Sequence, residues 1–410
     1  MSTLSPRSRP RPTDQADVRR HNAALVLGTV ADEGPLSRAQ VSVASGLTRA
    51  TVGSIVDELL GAGLITEQGT RSATGVGRPG TDLALRPEGG AGVGLEINVD
   101  GLACVVVDLA GAVRHRVVRP GDLRGRTTAS VLRAAARLVD DAITASHPLG
   151  LDVLGVGVAA PGLVDLGEQV LRLAPNLGWH DVAVLDRIRS YADHSWPERV
   201  VLDNEANLAA LGELWSGGHG RTDSFVLVNG DVGVGAGVVL DGALYRGSRG
   251  FGGELGHLTV APDGPECRCG ARGCLEQVAG LDEILRSSGI AASSRDDDAV
   301  AALLAALERD DARAVQGVAG AARSLGVGVA AMVNLFDVDT VVLGGVFAPL
   351  FPWIDAPLRE VLERRVLSAS WAPLRVTPSR LGRDAAAIGA ALAPLRALLD
   401  DPLAPAASSV

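Results

Sequence analysis

The sequence predicts an α/β protein in which a small, mainly helical N-terminal domain precedes a larger body of two similar lobes. Composition is the first reason: 47% of the 410 residues are hydrophobic but only 3% are aromatic. Aliphatic side chains must therefore build the cores, as they do in strands buried between helices. Length is the second reason, because a chain of this size exceeds what a single core usually fills. The third is a strand meander followed by a helix and a strand, a pattern that occurs twice.

Charge divides the chain in the same way. Residues 1–86 contain 10 Arg and 8 acidic residues, whereas the remainder contains 28 Arg and 40 acidic residues. A slightly basic segment on an acidic body is typical of a nucleic-acid-binding module attached to a domain that does not bind nucleic acid. No apolar core segment precedes residue 23, and the longest uncharged stretch, residues 340–354, is too short to span a bilayer. We therefore expect a cytoplasmic protein without a membrane segment.

The N-terminal region predicts a tail and three helices. Residues 1–16, rich in Ser, Pro and Arg, lack apolar periodicity and are expected to be disordered. Residues 17–87 form the predicted domain, whose helices cover residues 17–32, residues 38–45 and a segment that begins after Thr48. Ser37 suits the N-cap of the second helix and Gly46 suits its C-terminal end. One face of the third helix is predicted to be buried: Val52, Ile55, Val56, Leu59 and Leu60.

The second and third helices predict a helix-turn-helix, and two strands joined by a polar loop predict a wing. This geometry places the start of the third helix in a major groove of DNA. The predicted DNA contacts are Arg38, Thr48, Arg49, Ala50, Thr51, Arg71 and Arg78. The alternative is a three-helix protein-interaction module with a solvated polar face. Arginines on both the wing loop and the leading turn of the third helix favour DNA.

The body predicts two lobes around a cleft. Strands, a helix and a further strand follow one another between residues 92 and 158, and a related series runs between residues 225 and 343. The first lobe is assigned to residues 91–212 with about 380–398, and the second lobe to residues 213–379. A final tail over residues 401–410, rich in Ala, Pro and Ser, is expected to be disordered.

Four short segments of the body resemble one known family. They are residues 202–214 (LDNEANLAALGEL), 254–257 (ELGH), 274–276 (CLE) and 343–346 (LGGV). With the winged helix in front, the chain resembles the repressor branch of the ROK family of repressors and sugar kinases over roughly residues 17–395. The resemblance implies a duplicated actin-like, ribonuclease-H-like fold, the two-lobed ATPase fold of sugar kinases, with a zinc loop over residues 257–274.

The loop carries a specific metal-binding pattern. Its candidate ligands are His257, Cys267, Cys269 and Cys274. Three thiolates and an imidazole can close a tetrahedral shell around zinc without leaving an open position, so we expect one structural Zn²⁺ per chain. The alternative is a loop of free thiols. The fourth cysteine, Cys104, lies in an apolar run and is expected to be a buried core thiol.

The resemblance also implies a sugar site. The positions that match the family's sugar-contacting residues are Asn176, Asn204, Glu205, Glu254, His257 and Glu276. Amides and carboxylates can pair with sugar hydroxyls, each of which is both donor and acceptor. Taken singly, Glu205 or Glu276 would more often be a solvated helix acid, and the shared motifs reverse that expectation. His257 would contact both zinc and sugar.

The chain departs from the kinase pattern where phosphate would bind. A first phosphate loop resembling DxGGT is replaced by Glu96-Ile97-Asn98-Val99-Asp100, and Val232 stands where the second loop has a phosphate-binding threonine. The family's catalytic base is Asp, whereas this chain has Glu205, which we interpret as a vestigial base position. We therefore expect no catalytic residue and no functional ATP site. The alternative is an active ATP-dependent ROK sugar kinase with an accessory DNA-binding domain.

These observations predict a sugar-responsive DNA-binding regulator, a repressor of genes for carbohydrate uptake or catabolism. Its expected partners are double-stranded operator DNA, a sugar or sugar-derivative effector, and a second copy of itself as a homodimer or a dimer of dimers, because half-site recognition requires pairing. It would be associated with the nucleoid when bound to DNA. A pure scaffold explains neither the wing arginines nor the carboxylates near the cysteines. Whether the sugar induces or corepresses stays open.

Overall fold

A computed structural model describes residues 15–70, 81–218, 223–291 and 296–402. These residues fall into two compact units. One runs from the N-terminus to Gly89 and includes the chain from Arg396 onwards, and the other extends from Gly90 to Leu395.

The first unit contains three helices and a small sheet. Its elements are α1 (Gln15–Glu33), β1 (Leu36–Ser37), α2 (Arg38–Ser45), α3 (Arg49–Gly61), β2 (Ile65–Thr70) and β3 (Thr81–Leu85). The strands pair antiparallel in the order β1-β3-β2. Ser37 caps α2 through a reciprocal capping box with Gln40, and Gly46, with φ of 70°, ends it in the left-handed conformation that glycine adopts readily. Local capping therefore sets both ends of α2, as the sequence predicts.

Two sequence predictions for this unit need adjustment. The helix α1 begins at Gln15, two residues before its predicted start and inside the segment predicted to be a tail, because a helix can extend through polar residues ahead of its apolar stripe. Leu60 is half-buried rather than buried, whereas Val52, Ile55, Val56 and Leu59 form the buried face of α3. The predicted wing loop, with Arg71 and Arg78, lies outside the described residues. So do residues 1–14 and 403–410 of the two predicted tails.

The first lobe of the second unit is built on a five-stranded sheet. Its elements are β4 (Ala91–Asn98), β5 (Gly101–Asp108), β6 (Val113–Pro120), α4 (Thr128–Ser146), β7 (Val153–Ala160), β8 (Leu163–Asp165), β9 (Val170–Ala174), β10 (Trp179–Val182), α5 (Val184–Ser190), β11 (Val200–Asn204) and α6 (Glu205–Ser216). The order is β11-β7-β4-β5-β6, with β4, β5 and β6 antiparallel and β7 and β11 parallel to β4. A separate small sheet has the order β10-β9-β8.

The second lobe repeats this topology. Its elements are β12 (Phe225–Gly230), β13 (Val234–Leu240), β14 (Ala243–Tyr245), α7 (Glu276–Ala279), α8 (Leu281–Ser288), α9 (Asp296–Glu308), α10 (Ala312–Phe336), β15 (Thr340–Gly345), α11 (Phe351–Arg365), β16 (Arg375–Pro378) and α12 (Ala385–Asp400). The order β14-β13-β12-β15-β16 matches that of the first lobe strand for strand. The predicted duplicated α/β fold is confirmed.

The helices that follow the last strand of each sheet are exchanged between the lobes. The helix α6 follows the first sheet but packs on β12 and β13 of the second. The helix α12 follows the second sheet but lies on the first, so closely that a Cβ at Gly94 would come within 1.9 Å of the Ala387 carbonyl oxygen and one at Gly157 within 1.9 Å of the Ala390 oxygen. Glycine is required at both strand positions. The exchange joins the lobes and leaves a cleft at the carboxyl ends of their parallel strands.

By length and composition, α10 could cross a membrane. However, 56% of its most apolar window is buried. Ala314, Val318 and Leu325 of this helix belong to the core of the second lobe. These are the features of a core helix, so this helix is weak evidence for a membrane span.

Candidate functional site

The start of α3 presents an exposed polar edge in the first unit. Thr48 caps α3 by accepting a hydrogen bond from the Thr51 backbone N–H at 3.2 Å, and its hydroxyl lies 2.9 Å from that of Thr51. Arg49 and Ala50 are exposed beside it. Within the part of the chain that the structure describes, Arg49 forms no hydrogen bond or ion pair. Its guanidinium is therefore available to a ligand.

Arg38, which the sequence grouped with these residues, has a different environment. Its guanidinium donates to Glu67 on β2 and, at 3.2 Å, to Asp57 on α3. These two carboxylates neutralise the arginine and raise its pKa above the ordinary value, the hydrogen bond to Glu67 being the largest cause. Arg38 therefore links α2, α3 and β2 within the unit. The helix pattern could not reveal this pairing, because its partners lie 29 and 19 positions away.

In the second unit, the four predicted metal ligands converge. His257 ends a short 3₁₀ turn (Leu255–His257), and Cys267, Cys269 and Cys274 lie on the loop that leads to α7. One candidate ligand atom from each residue lies within 4.8 Å of all the others. The Nδ1 atom of His257 is 3.7 Å from the Cys267 sulfur, and the sulfurs of Cys269 and Cys274 are 3.7 Å apart. Three thiols and one imidazole at this spacing fit the ligand set that zinc prefers.

All six predicted sugar-binding residues line one cavity. They are Asn176, Asn204, Glu205, Glu254, His257 and Glu276. Asn176 follows β9 in the first lobe, and the junction of β11 with α6 supplies Asn204 and Glu205. The second lobe supplies the other three from the 3₁₀ turn and the start of α7. Residues that lie up to 100 positions apart in the sequence thus meet in the cleft between the lobes.

Asn204 acts mainly as a structural support of this cavity. Its side-chain oxygen accepts from the backbone N–H groups of Ala206 and Asn207, which makes it the N-cap of α6. Its amide donates to the Gly162 carbonyl at 2.9 Å. One N–H of the amide remains for a ligand, because the other donates to Gly162 and the side-chain oxygen already accepts two hydrogen bonds. The predicted direct sugar contact is thus limited to a single donor.

Glu205, the first residue of α6, is an acceptor without a partner. Its Oε2 atom is buried and accepts no hydrogen bond from any described residue. Burial raises the pKa of Glu205 well above the ordinary value, and the carboxylates of Glu96, Asp231 and Glu254 raise it further. An unpaired buried oxygen is costly in the free protein. A hydroxyl of a bound ligand could supply the missing donor.

His257 and Glu276 connect the cysteine cluster to the cavity. His257 turns Nδ1 towards the cysteines, while its Nε2 lies 4.0 Å from Glu254 on the cavity side. Glu276 accepts from the Cys267 thiol at 3.1 Å through Oε1. Its Oε2 reaches the cavity, where a Cβ on Gly233 would lie 3.1 Å from it. Two cavity residues are therefore held by the loop that carries the metal ligands.

A second cavity lies where β4 and β12 end, and a charged network crosses it. Asn98 of the first lobe donates to Asp231 of the second at 3.3 Å. Arg383, just before α12, pairs with Asp100 and lies 3.7 Å from Asp231. Burial, followed by Asp231 and Asp100, raises the pKa of Glu96 to about 8. Acidic side chains and two arginines, Arg116 and Arg383, thus line the position that the sequence predicts for the phosphate loops.

A sequence profile described as the ROK family matches residues 92–396. The chain belongs to the ROK family. A putative xylose repressor from Caldicellulosiruptor sp. (strain Rt8B.4) is 31% identical over 391 residues, which cover 92% of this chain and 96% of that protein. The family predicted from the short motifs is therefore confirmed.

Solved structures of ROK proteins show the same fold. A ROK family transcriptional regulator, a homolog of the E. coli MLC protein, aligns with a TM-score of 0.74 and 26% identity over 94% of this chain and 98% of its own. A ROK family glucokinase from Streptomyces griseus, in complex with glucose and AMPPNP, aligns with a TM-score of 0.64 and 27% identity over 74% of this chain and 98% of its own. The α/β sugar-kinase-like fold is thus common to a regulator and a kinase.

Two charged contacts of this ROK body were not predicted from the sequence. Asp203, in the segment 202–214, is buried and accepts from the Arg246 guanidinium at 2.9 and 3.1 Å across the lobes. Arg383 lies in a segment without any motif, 283 positions from Asp100. A local pattern carries no signal for either pair. Only the folded chain brings these charges together.

Proposed function

We propose that this chain is a sugar-responsive, DNA-binding transcriptional repressor whose ROK body binds sugar without transferring phosphate. One observation carries the proposal. The similarity to the Caldicellulosiruptor repressor and to the ROK regulator structure extends over more than nine-tenths of the chain, which includes most of the first unit. The kinase structure covers 74%, about the size of the Gly90–Leu395 unit. The additional unit is therefore a property that this chain shares with regulators.

The first unit would read DNA as a winged helix-turn-helix. The helix α2, a turn at Gly46 and α3 form the helix-turn-helix, and β2 and β3 flank the wing. The exposed start of α3, with Arg49 and Thr51, would enter the major groove. Arg38 would brace the unit instead of contacting DNA. A dimer or a dimer of dimers would present two such units to a two-fold symmetric operator in the cytoplasm.

The body would sense a sugar with a cavity that zinc helps to shape. Structural zinc bound by His257 and the three cysteines would order the loop that leads to Glu276. The carboxylates of Glu205, Glu254 and Glu276 would accept hydrogen bonds from sugar hydroxyls, and Asn176 would donate. Because the cavity lies between the lobes, a sugar that contacts both would favour one lobe arrangement, and DNA affinity would change with it.

The second cavity argues against phosphoryl transfer. A nucleotide phosphate there would meet the carboxylates of Asp100 and Asp231, and like charges repel. The two arginines of the cavity are already paired, Arg383 with Asp100 and Arg116 with Asp384. The competing function, an active ATP-dependent sugar kinase, is favoured by the glucokinase structure and by the fold. The charge of the phosphate position supports sensing over phosphoryl transfer.

Two assays test the proposal. The full-length protein should bind DNA from its own promoter region in an electrophoretic or anisotropy assay. Coupled measurement of ADP formation with a panel of hexoses and pentoses should show no turnover above background. Turnover at rates typical of a kinase, about 1–100 s⁻¹, would overturn the sensing function. Failure to bind promoter DNA would overturn the regulatory function.

A further inference from the structure

We propose that the sugar cleft contains a second subsite for a neutral glycosyl unit, so that the effector is a disaccharide or a longer glycoside. The inference rests on the proposed function and specifies the ligand class of the same site. A polar cavity of about 370 Å³ adjoins the sugar cavity, and Asn176 and Glu276 line both. A ligand held by the sugar cavity can therefore extend between these two side chains. The volume is within the range of about 300–1,000 Å³ that is typical of ligand sites.

Both lobes contribute to the second subsite. Arg124, from the loop after β6, belongs to the first lobe. Arg268, on the loop with the candidate metal ligands (residues 257–274, called the metal loop below), and Asp282, on α8, belong to the second lobe. Arg124 donates to Asp282 at 3.3 Å and so bridges the lobes at the rim. A glycosyl unit at this place would touch both lobes. The second ring would consequently add to the free energy that favours lobe closure.

The charges of the subsite favour a neutral, hydroxyl-rich ligand over an anion. Arg124 is balanced by Asp122 and Asp282, and Arg286 is balanced by Glu283 at 2.7 Å. A phosphate would have to approach Glu276, Asp282 and Glu283. Hydroxyl groups, in contrast, can donate to the carboxylates and accept from the guanidinium groups. A mixed lining of this kind suits a sugar ring.

Arg268 is the donor best placed for the second ring. It stands between the metal ligands Cys267 and Cys269, so the metal loop fixes its backbone. Among the described residues its one hydrogen bond goes to the carbonyl oxygen of Asn176 at 3.4 Å. Most of its guanidinium N–H groups are free for a ligand. Arg268 thus lies at the junction of the two cavities with donors to offer.

Calorimetric titration of the full-length, zinc-loaded protein tests the subsite. The probes are xylose with xylobiose and glucose with cellobiose or maltose. For the matching pair we expect the disaccharide to bind about tenfold more tightly than its monosaccharide, the gain from one or two hydrogen bonds. Arg268→Ala and Asp282→Ala should each remove most of that ratio. Arg272→Ala is the control: Arg272 pairs with Glu266 at 2.8 Å on the same loop and lines neither cavity.

The outcomes separate the subsite from the function on which it rests. If a monosaccharide binds and its disaccharide binds equally or more weakly, the subsite is refuted and the sugar-sensing function stands. If a sugar phosphate binds more tightly than every neutral disaccharide, the neutral ligand class is wrong. If no sugar binds at all, the sensing function fails and the subsite with it. Zinc analysis of each variant verifies that the metal loop is intact, so that lost affinity reports on the subsite.

Discussion

Replacing the buried Glu96 by glutamine should stabilise the protein in a pH-dependent way. Glu96, on β4, is 5% exposed, and the charged groups that face it are Asp231, Asp100 and Arg383, with Glu205 nearby. Burial and then the two aspartates raise its pKa from 4.5 to about 8, against the smaller lowering by Asn98 and Arg383. The folded protein therefore keeps a proton that the unfolded chain releases near its ordinary pKa.

The sign and size of the effect follow from this difference. Because the folded state binds the proton more tightly, the stability of the wild-type protein falls as pH rises from about 4.5 to about 8. Each pH unit in this window costs about 1.4 kcal/mol, so the total loss is up to about 5 kcal/mol. Glutamine has the same shape and no proton to release. Glu96→Gln should thus match the wild type at about pH 4.5 and exceed it increasingly up to about pH 8.

Urea unfolding followed by circular dichroism at about pH 5 and about pH 8 measures this gap. The exposed Glu198 provides the control, since Glu198→Gln should leave stability within about 0.5 kcal/mol of wild type at both values. A Glu96→Gln variant that is less stable than wild type at both values, or equally shifted at both, would refute the reasoning. It would mean that the Glu96 carboxylate has a partner that compensates its burial.

Three further predictions concern the sites. Glu205→Ala should lower sugar affinity about 10- to 100-fold in calorimetry, because the hydrogen bonds between its carboxyl group and the sugar are lost, and unchanged affinity would remove Glu205 from the sugar site. Cys269→Ser should reduce bound zinc from about one per chain and make the loop from His257 to Cys274 more sensitive to proteolysis, whereas a native protein purified without metal would contradict the zinc site. Arg49→Ala should weaken promoter DNA binding by about 1–3 kcal/mol in anisotropy titrations. Arg19→Ala, which removes a guanidinium held by Glu58 on the same unit, is the matched control, and equal losses in both variants would place DNA recognition elsewhere.

Local sequence patterns predicted the elements that depend on local physics. Alternating apolar runs predicted the strands β4 and β5, and caps predicted the ends of α2. The spacing of His257 and the cysteines predicted a cluster that the structure assembles. Cys104, predicted to be buried in the core, is fully buried there, and burial raises its pKa to about 12. Each of these features depends on residues that are close in sequence or on one apolar run.

Contacts between residues distant in sequence could not be predicted, for a physical reason. Amphipathic patterns reveal that α6, assigned from the sequence to the first lobe, is buried, but not that it packs on the sheet of the second lobe. Nor do they reveal which distant charges meet, as Arg246 meets Asp203 and Arg383 meets Asp100. The family resemblance supplied the six cavity residues, since single carboxylates on a helix carry no such signal. The resemblance did not reveal that the side-chain oxygen of Asn204 caps α6.

The most direct test is the affinity for promoter DNA of the full-length protein, measured by fluorescence anisotropy while a binding sugar is titrated. We predict that the sugar changes DNA affinity by about 5- to 150-fold, the usual range of allosteric coupling, while no ADP forms in a parallel sample with ATP. By thermodynamic reciprocity, promoter DNA should change sugar affinity by the same factor. A sugar that binds the protein yet leaves DNA affinity unchanged, or one that the protein phosphorylates, would contradict the account.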